Sequence, residues 1–419
     1  MKVIVFAYEK ENHTAPVKWA LEQAGYQVAC WGGLSWTGQQ QASLLVDAQT
    51  KMTLGPFTVE PGDAVWIRRP DVPTHNPNVS EADRKFAEQE YRAFYHCLAY
   101  TLETLPVFCV NKFSAARFIH NKAVQLNLAC ACGLRVPATL LSNSPGRIRE
   151  FVSHNPGKTI GKGFSPHVWQ RGDEDGVSVT QTFELAPEQL PSDEVLTYAP
   201  GIYQEMVVKQ FDIRMVLMGN RVYSFALHNP KKALDWRQDA GLGNVRVEIT
   251  PTPADVEKGI LEFARKANIC FGSVDFAVDN DGHWWFLEIN EQGQFLWLDQ
   301  FNPQARTLEK FCAFITAPEG SDRPLEERMG LFPAFSDFIT HYRSLPENQA
   351  PIDIAAAVAA SPFMSRETGR AGVMLSKSCS ARTNAKKHRR FRRCSSYSVF
   401  PFDYCESSFT PCGTRCGAT

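Results

Sequence analysis

Two acids stand inside apolar sequence near residue 280. Asp275 lies within FGSVDFAV, Glu288 within HWWFLEIN, and Asn290 follows Glu288 by two positions. A carboxylate among apolar neighbours is costly to bury unless it is paired or bound to a cation. The runs flank the turn-forming cluster Asp279-Asn280-Asp281-Gly282, which predicts a β-hairpin. Parity then assigns faces. A two-residue loop at Asp281-Gly282 sets Asp275 opposite Glu288; one at Asn280-Asp281 sets it opposite Phe286, a diagonal step from Glu288. Side chains alternate along a strand, so Glu288 and Asn290 share a face, and Asp275 joins them in either register. A three-residue loop would reverse the match. Two carboxylates and an amide oxygen form an oxygen-only donor set, suited to Mg2+ or Mn2+ holding a nucleotide's phosphates. The competing reading is a solvated outer face with scattered acids, against which the apolar neighbours weigh.

The string D-F-x-V followed by F-L-E-I-N resembles the metal-binding hairpin of the ATP-grasp ligases. Its continuation E-x-G-Q-F-L-W, Glu291 to Trp297, resembles the form in the microviridin-type maturases of ribosomally made peptides. Those maturases are relatives of the enzymes that add glutamate to a ribosomal protein. Glu291 departs from the pattern, since many of them carry proline there, and is expected to alter the local turn while leaving the ligands in place.

The resemblance implies further roles. N-K…Q-L…G-L-x-V-P-x-T-L, from Asn121 to Leu140, is similar to the opening of the ATP-grasp region and makes Lys122 the first nucleotide lysine. KTIGKGF holds two candidates for the second, Lys158 and Lys162. Lys162 is preferred because Thr159 and Ile160 read as the strand leading into it, and Gly161 and Gly163 leave room for a phosphate to approach the backbone. Ser165 to Asp175 would be a mobile loop over the nucleotide. In GIYQEMVVK, Gln204, Glu205 and Met206 resemble the hinge that meets adenine. Asp212 of the D-x-R would bind ribose, Arg214 would reach the reacting phosphate, and Arg237 would be a second arginine for an acyl phosphate.

These residues need elements to hold them. Lys2–Tyr8 reads as a strand, Ala15–Gly25 as an amphipathic helix, and Tyr26–Trp31 as a second strand. No G-x-G-x-x-G follows the first strand, which excludes a dinucleotide site. AVWIRRP ends a strand on Arg68 and Arg69, either solvated or facing the cleft as a cation pair for acidic groups. The W-x-R-R-P string also occurs in the first domain of the peptide maturases. Ser80 caps a long helix to Thr101. A helix starts near Lys122 and stops at Gly133, Arg221–Leu227 alternates as a strand, and Thr252–Ala267 is a helix leading back to the hairpin. Leu308–Ile315 and Met329–Tyr342 are candidate closing helices. His228 has no partner at metal-ligand spacing.

The 419 residues allow roughly two to three domains. The expected division is a pre-ATP-grasp α/β domain over 1–115, a two-lobed ATP-grasp domain over 116–320, a helical segment over 321–365 and a basic tail over 366–419. The fold class is thus α/β (α+β). The tail holds eleven Lys and Arg against three Asp and Glu, without periodicity, and its composition predicts disorder. Its basic run at Lys386–Arg393 and its scattered cysteines read as a loose tail, neither a nucleic-acid nor a zinc site. The net charge of −1 gives no sign of nucleic acid. The start has too short an apolar run for a signal peptide, and no stretch approaches the ~18 apolar residues of a membrane span. Cysteines scattered without paired spacing fit reduced thiols in a cytoplasm.

What the resemblance implies is an ATP-dependent carboxylate–amine or carboxylate–hydroxyl ligase that works through an acyl phosphate and releases ADP. Its expected acceptor is a peptide or protein side chain, its expected cofactors are ATP and Mg2+ or Mn2+, and a homodimer stays open. The alternatives are a ligase of small amino-acid substrates and a non-catalytic nucleotide-binding module.

Overall fold

The computed structural model describes residues 1–345 apart from 37–39, 71–75, 77, 156–157, 165–167, 171–176, 180–181, 230–244 and 318–323. Arg237 and the expected basic tail therefore lie outside the described residues. The described chain divides into two compact units, residues 1–137 with 207–345, and residues 138–206.

The first unit opens on a parallel sheet, order β2-β1-β6-β7, built from β1 (Lys2–Phe6), β2 (Gln27–Cys30), β6 (Ala64–Ile67) and β7 (Phe108–Val110). Val3, Ile4 and Val5 are fully buried, as a parallel strand covered on both faces requires. A small antiparallel sheet, β3 (Ala42–Leu45), β4 (Lys51–Leu54) and β5 (Phe57–Thr58), packs its Met52 and Leu54 into the same core. Helices α1 (Thr14–Gln23) and α2 (Glu81–Leu102) follow the expected spans, and Ser80 caps α2 by accepting from Asp83 N–H at 3.3 Å. Next come α3 (Phe113–Ile119) and α4 (Lys122–Ala131). Asn121 Oδ1 accepts from Val124 N–H and fixes where α4 begins, immediately before Lys122.

The second sheet of this unit is antiparallel, order β16-β15-β14-β17-β18: β14 (Lys209–Met218), β15 (Arg221–His228), β16 (Arg246–Thr250), β17 (Phe271–Asp279) and β18 (Trp284–Asn290). Ile213, Met215, Leu217, Val274, Phe276, Val278, Phe286 and Ile289 face one core. Into that core α7 (Ala254–Ala267) presents Val256, Ile260, Phe263 and Ala267, the stripe that helical periodicity requires. Strand alternation then turns Asp212, Arg214 and Asp275 to the opposite face.

The unit closes with α8 (Trp297–Phe301), α9 (Thr307–Thr316), α10 (Leu325–Met329) and α11 (Phe335–Ser344). The helix expected over Met329–Tyr342 is instead two. Pro333 sits between α10 and α11, disfavours helical backbone at the residue before it and lacks the N–H a continuing helix needs. Asp299 caps α9 from a distance, accepting from Thr307 N–H at 2.7 Å and Leu308 N–H at 2.9 Å.

The second unit is an antiparallel sheet, order β12-β9-β13-β8, with β8 (Thr139–Ser142), β9 (Thr159–Lys162), β12 (Phe183–Leu185) and β13 (Gly201–Glu205). Helices α5 (Pro145–His154) and α6 (Asp193–Tyr198) cover one face, packing Ile148, Val152 and Leu196 with Leu185 and Tyr203 of the sheet. The stretch expected as a loop from Ser165 contains a strand, β10 (Val168–Gln170), paired antiparallel with β11 (Val177–Val179).

Candidate functional site

The hairpin reaches the expected register by another route. Asp279 N–H donates to His283 O, and Gly282 N–H to Asp279 O, both at 3.1 Å, so the loop has three residues, Asn280 to Gly282. Gly282, at φ +82°, takes the left-handed position that ends such a loop. By parity alone Asp275 would then face Leu287. A β-bulge restores the match: Phe276 pairs with Phe286, but Asp275 pairs with Glu288, and Leu287 is the extra residue. Phe286 and Ile289, three apart, both enter the core because the bulge lies between them.

Each carboxylate meets a cation of its own unit. Arg214 lies directly opposite Asp275 on β14, with Nη1 3.2 Å from Oδ1. The two side chains are 4% and 10% exposed, so the pair is withdrawn from water. Lys122, at the first position of α4, donates from Nζ to Glu288 Oε2 at 2.9 Å. The Trp297 ring lies 5.9 Å from the Arg214 guanidinium carbon. Lys209 donates to both Asp212 oxygens at 2.8 Å. Residues three apart on a regular strand point to opposite faces; here a bulge between Lys209 and Phe211 brings them together. Sequence reading missed Lys209, and no spacing rule signals a bulge. Asn290 shares the strand of Glu288, but its Oδ1 accepts from Gln292 N–H and Gly293 N–H at 3.1 Å and closes the following turn. Asp275 and Glu288 fit a hard cation as an adjacent pair of anionic oxygen donors. Asn290 would join them only by sharing an oxygen that already shapes its turn.

The E-x-G-Q-F-L-W loop is anchored from the opposite end of the sequence. Gly293 has φ +59°, and a Cβ there would stand 2.7 Å from the Phe271 ring, so glycine is required twice over. The Glu291 carboxylate lies 3.2 Å from His120 Nδ1. Phe295 N–H donates to His13 Nε2 at 3.1 Å, and the other ring nitrogen, Nδ1, lies 3.2 Å from Arg68 Nη2 and 3.7 Å from the Glu11 carboxylate. Arg68 donates to Glu11 Oε1 at 3.1 Å and to Gln292 O at 3.2 Å. Arg68 is 0% exposed, which corrects the reading of Arg68 and Arg69 as a cleft-facing pair: the first is a buried tie. Burial, reinforced by the Arg68 charge, lowers the His13 imidazole to about 4. Burial raises the Glu11 carboxyl, but Arg68 and His13 outweigh it and hold it well below the carboxylate range. His13 and Glu11 were invisible to motif reading, because one histidine in a loop carries no periodic signal.

In the second unit Lys162 and Gln204 share the face away from the helices. Lys162 Nζ donates to Gln204 Oε1 at 3.2 Å, and Gln204 Nε2 to Thr139 Oγ1 at 2.8 Å. Gln204 is buried and Glu205 half-buried. Met206 N–H bonds the carbonyl of Lys158, whose side chain is exposed just outside β9. Gly161 has a different cause from the one expected: a Cβ there would stand 2.7 Å from the Phe183 ring, so the missing side chain makes room for an aromatic residue.

No family model matches the chain, and no curated protein matches its sequence. Solved structures match its fold. A Chryseobacterium gregarium RiPP-associated ATP-grasp ligase, solved with ADP and a leader and core peptide, superposes with a TM-score of 0.67 at 22% identity, covering 76% of this chain and 97% of that one. The macrocyclase MdnC of Microcystis aeruginosa MRC, bound with precursor peptide MdnA, gives 0.61 at 22% identity over 75% and 99%. The ATP-grasp ligase PsnB, with a phosphomimetic variant of its minimal precursor, Mg and ADP, gives 0.55 at 18% identity over 74% and 97%. The fold of this chain is that of the ATP-grasp ligases. Each of these three structures was solved with a peptide or precursor bound.

Proposed function

We propose that this chain is an ATP-dependent ligase that joins a side-chain carboxylate to an amine or hydroxyl within a ribosomally made peptide. The observation that carries the reading is the Asp275–Glu288 pair, held opposite each other across β17 and β18 and each met by a cation, Arg214 and Lys122. The reading is supported by the fold, which solved relatives present with ADP, Mg and precursor peptides.

In this reading Lys162 and Lys122 bind the phosphates, the Gln204–Met206 segment receives adenine, and Asp212 meets the ribose. Asp275 and Glu288, with Asn290 beside them, would hold Mg2+ or Mn2+, which would supply neutralisation of phosphate charge. The acceptor carboxylate oxygen attacks the γ-phosphorus, and the bond to the β–γ bridging oxygen breaks. An acyl phosphate and ADP result. Arg214 and Arg237 offset charge on the transferring group, since this chemistry depends on positioning and cationic neutralisation more than on a protein nucleophile. The incoming amine or hydroxyl then attacks the acyl carbon, phosphate leaves, and its proton is lost to solvent. The proposed setting is the cytoplasm, and a short neighbouring reading frame encoding a Thr-, Ser-, Lys- and Asp/Glu-rich peptide would supply the acceptor.

The test is incubation with ATP, Mg2+ and that peptide, followed by nucleotide chromatography and peptide mass spectrometry. ADP, phosphate and a peptide lighter by one water per bond are expected. AMP as the main nucleotide would overturn the mechanism.

A further inference from the structure

β18 is the outer strand of its sheet, so one row of its backbone groups faces away from β17. That row has partners. Phe286 N–H donates to Arg135 O at 2.8 Å. At Ile289 the partner is a side chain. Gln125 Nε2 donates to Ile289 O at 3.0 Å, while its Oε1 accepts from Ile289 N–H at 3.0 Å. The second Nε2 proton goes to Ile119 O at 2.8 Å. Gln125 is 1% exposed, and its carboxamide does for one residue of β18 what a neighbouring strand would do.

Its position gives that contact a consequence. Ile289 stands between Glu288 and Asn290. Gln125 stands one turn beyond Lys122 on α4, and residues three apart lie on the same side of a helix. The side of α4 whose lysine meets Glu288 at 2.9 Å therefore also grips the backbone of the next residue. A displacement of β18 by one residue would send Glu288 to the core face.

We infer that Gln125 is a positioning residue: it fixes the placement of β18 along α4, and with it the distance between Lys122 and the carboxylate of Glu288. The inference rests on the reading of Glu288 as a metal ligand. Partners outside the ligand set of a metal are typically worth ~10–100-fold in metal affinity.

The test is Mn2+ binding followed by electron paramagnetic resonance, in the full chain with a non-hydrolysable ATP analogue. Gln125→Met keeps the length and removes both contacts to Ile289. Gln125→Glu keeps an acceptor for the Ile289 N–H and loses the donor. Ile4→Val, in the separate core of the parallel sheet, serves as the stability control. Both Gln125 variants are expected to weaken Mn2+ binding roughly 10- to 100-fold. Ile4→Val should lower the melting temperature and leave Mn2+ affinity at the wild-type value. Wild-type Mn2+ affinity in either folded Gln125 variant would overturn the inference alone. Failure of the wild type to bind Mn2+ with nucleotide would overturn it together with the functional reading.

Discussion

Asp275→Asn separates the two duties of this carboxylate, which balances a buried guanidinium and is proposed to hold a cation. The Arg214 side chain is 4% exposed and its Nη1 lies 3.2 Å from Asp275 Oδ1. Removing one partner of a buried ion pair destabilises by about 3–5 kcal/mol, because the remaining charge stays away from water. The carboxamide keeps an oxygen for the guanidinium, so the lower end, about 3 kcal/mol, applies. At roughly 2–4 °C per kcal/mol for a unit of this size, the melting temperature should fall by about 6–12 °C. The assay is thermal melting in chelator without nucleotide, on wild type, Asp275→Asn, Arg214→Met and the double variant. The double variant should lose less than the sum of the single losses, since the neighbours share one interaction. Saturating Mg2+–ATP at about a hundredfold over its dissociation constant should add about 2.7 kcal/mol to wild type and far less to Asp275→Asn. Additive losses, with Asp275→Asn melting at the wild-type temperature, would refute the pairing. Equal stabilisation of both proteins by Mg2+–ATP would refute the metal role.

Lys162→Ala should weaken ATP binding about tenfold or more, the value of a charge-assisted hydrogen bond, while Lys158→Ala should change it little; calorimetry of both decides between the lysines. Arg237→Ala should lower kcat far more than it weakens ATP binding, because its proposed contact forms in the transition state. His13 titrates near 6.5 when unfolded and at about 4 in the folded chain, so the unfolded state binds the proton first as pH falls. Its contribution is complete above pH 6.5 and is lost toward pH 4. Urea unfolding should show wild type losing about 3 kcal/mol more than His13→Gln across that window, and parallel curves would contradict the buried neutral ring.

Much of this was legible because apolar spacing and caps are local. Asn121 starting α4 and Ser80 starting α2 are side-chain-to-backbone bonds within one turn, and the buried run of β1 follows from its position in a parallel sheet. The face shared by Asp275 and Glu288 was also anticipated, but for a loop of the wrong length. What escaped depends on chain segments far apart in sequence. Arg68 looks like a solvated strand end until residues 11, 13 and 292 arrive beside it. Gly161 looks like phosphate space until Phe183 is placed opposite. Gln125 stood within a recognisable string, yet its work is visible only once the outer edge of β18 has no strand to meet.

The bulge at Leu287, rather than the length of the hairpin tip, sets the face on which Glu288 appears. Deleting one tip residue leaves Asp279 paired with His283 across a two-residue loop, and the acids stay matched. Deleting Leu287 straightens the second strand and also leaves them matched. A residue inserted between the bulge and Glu288 would instead turn its carboxylate to the core face. The hairpin tip is thus free to vary in length, and the stretch from Phe286 to Asn290 is not.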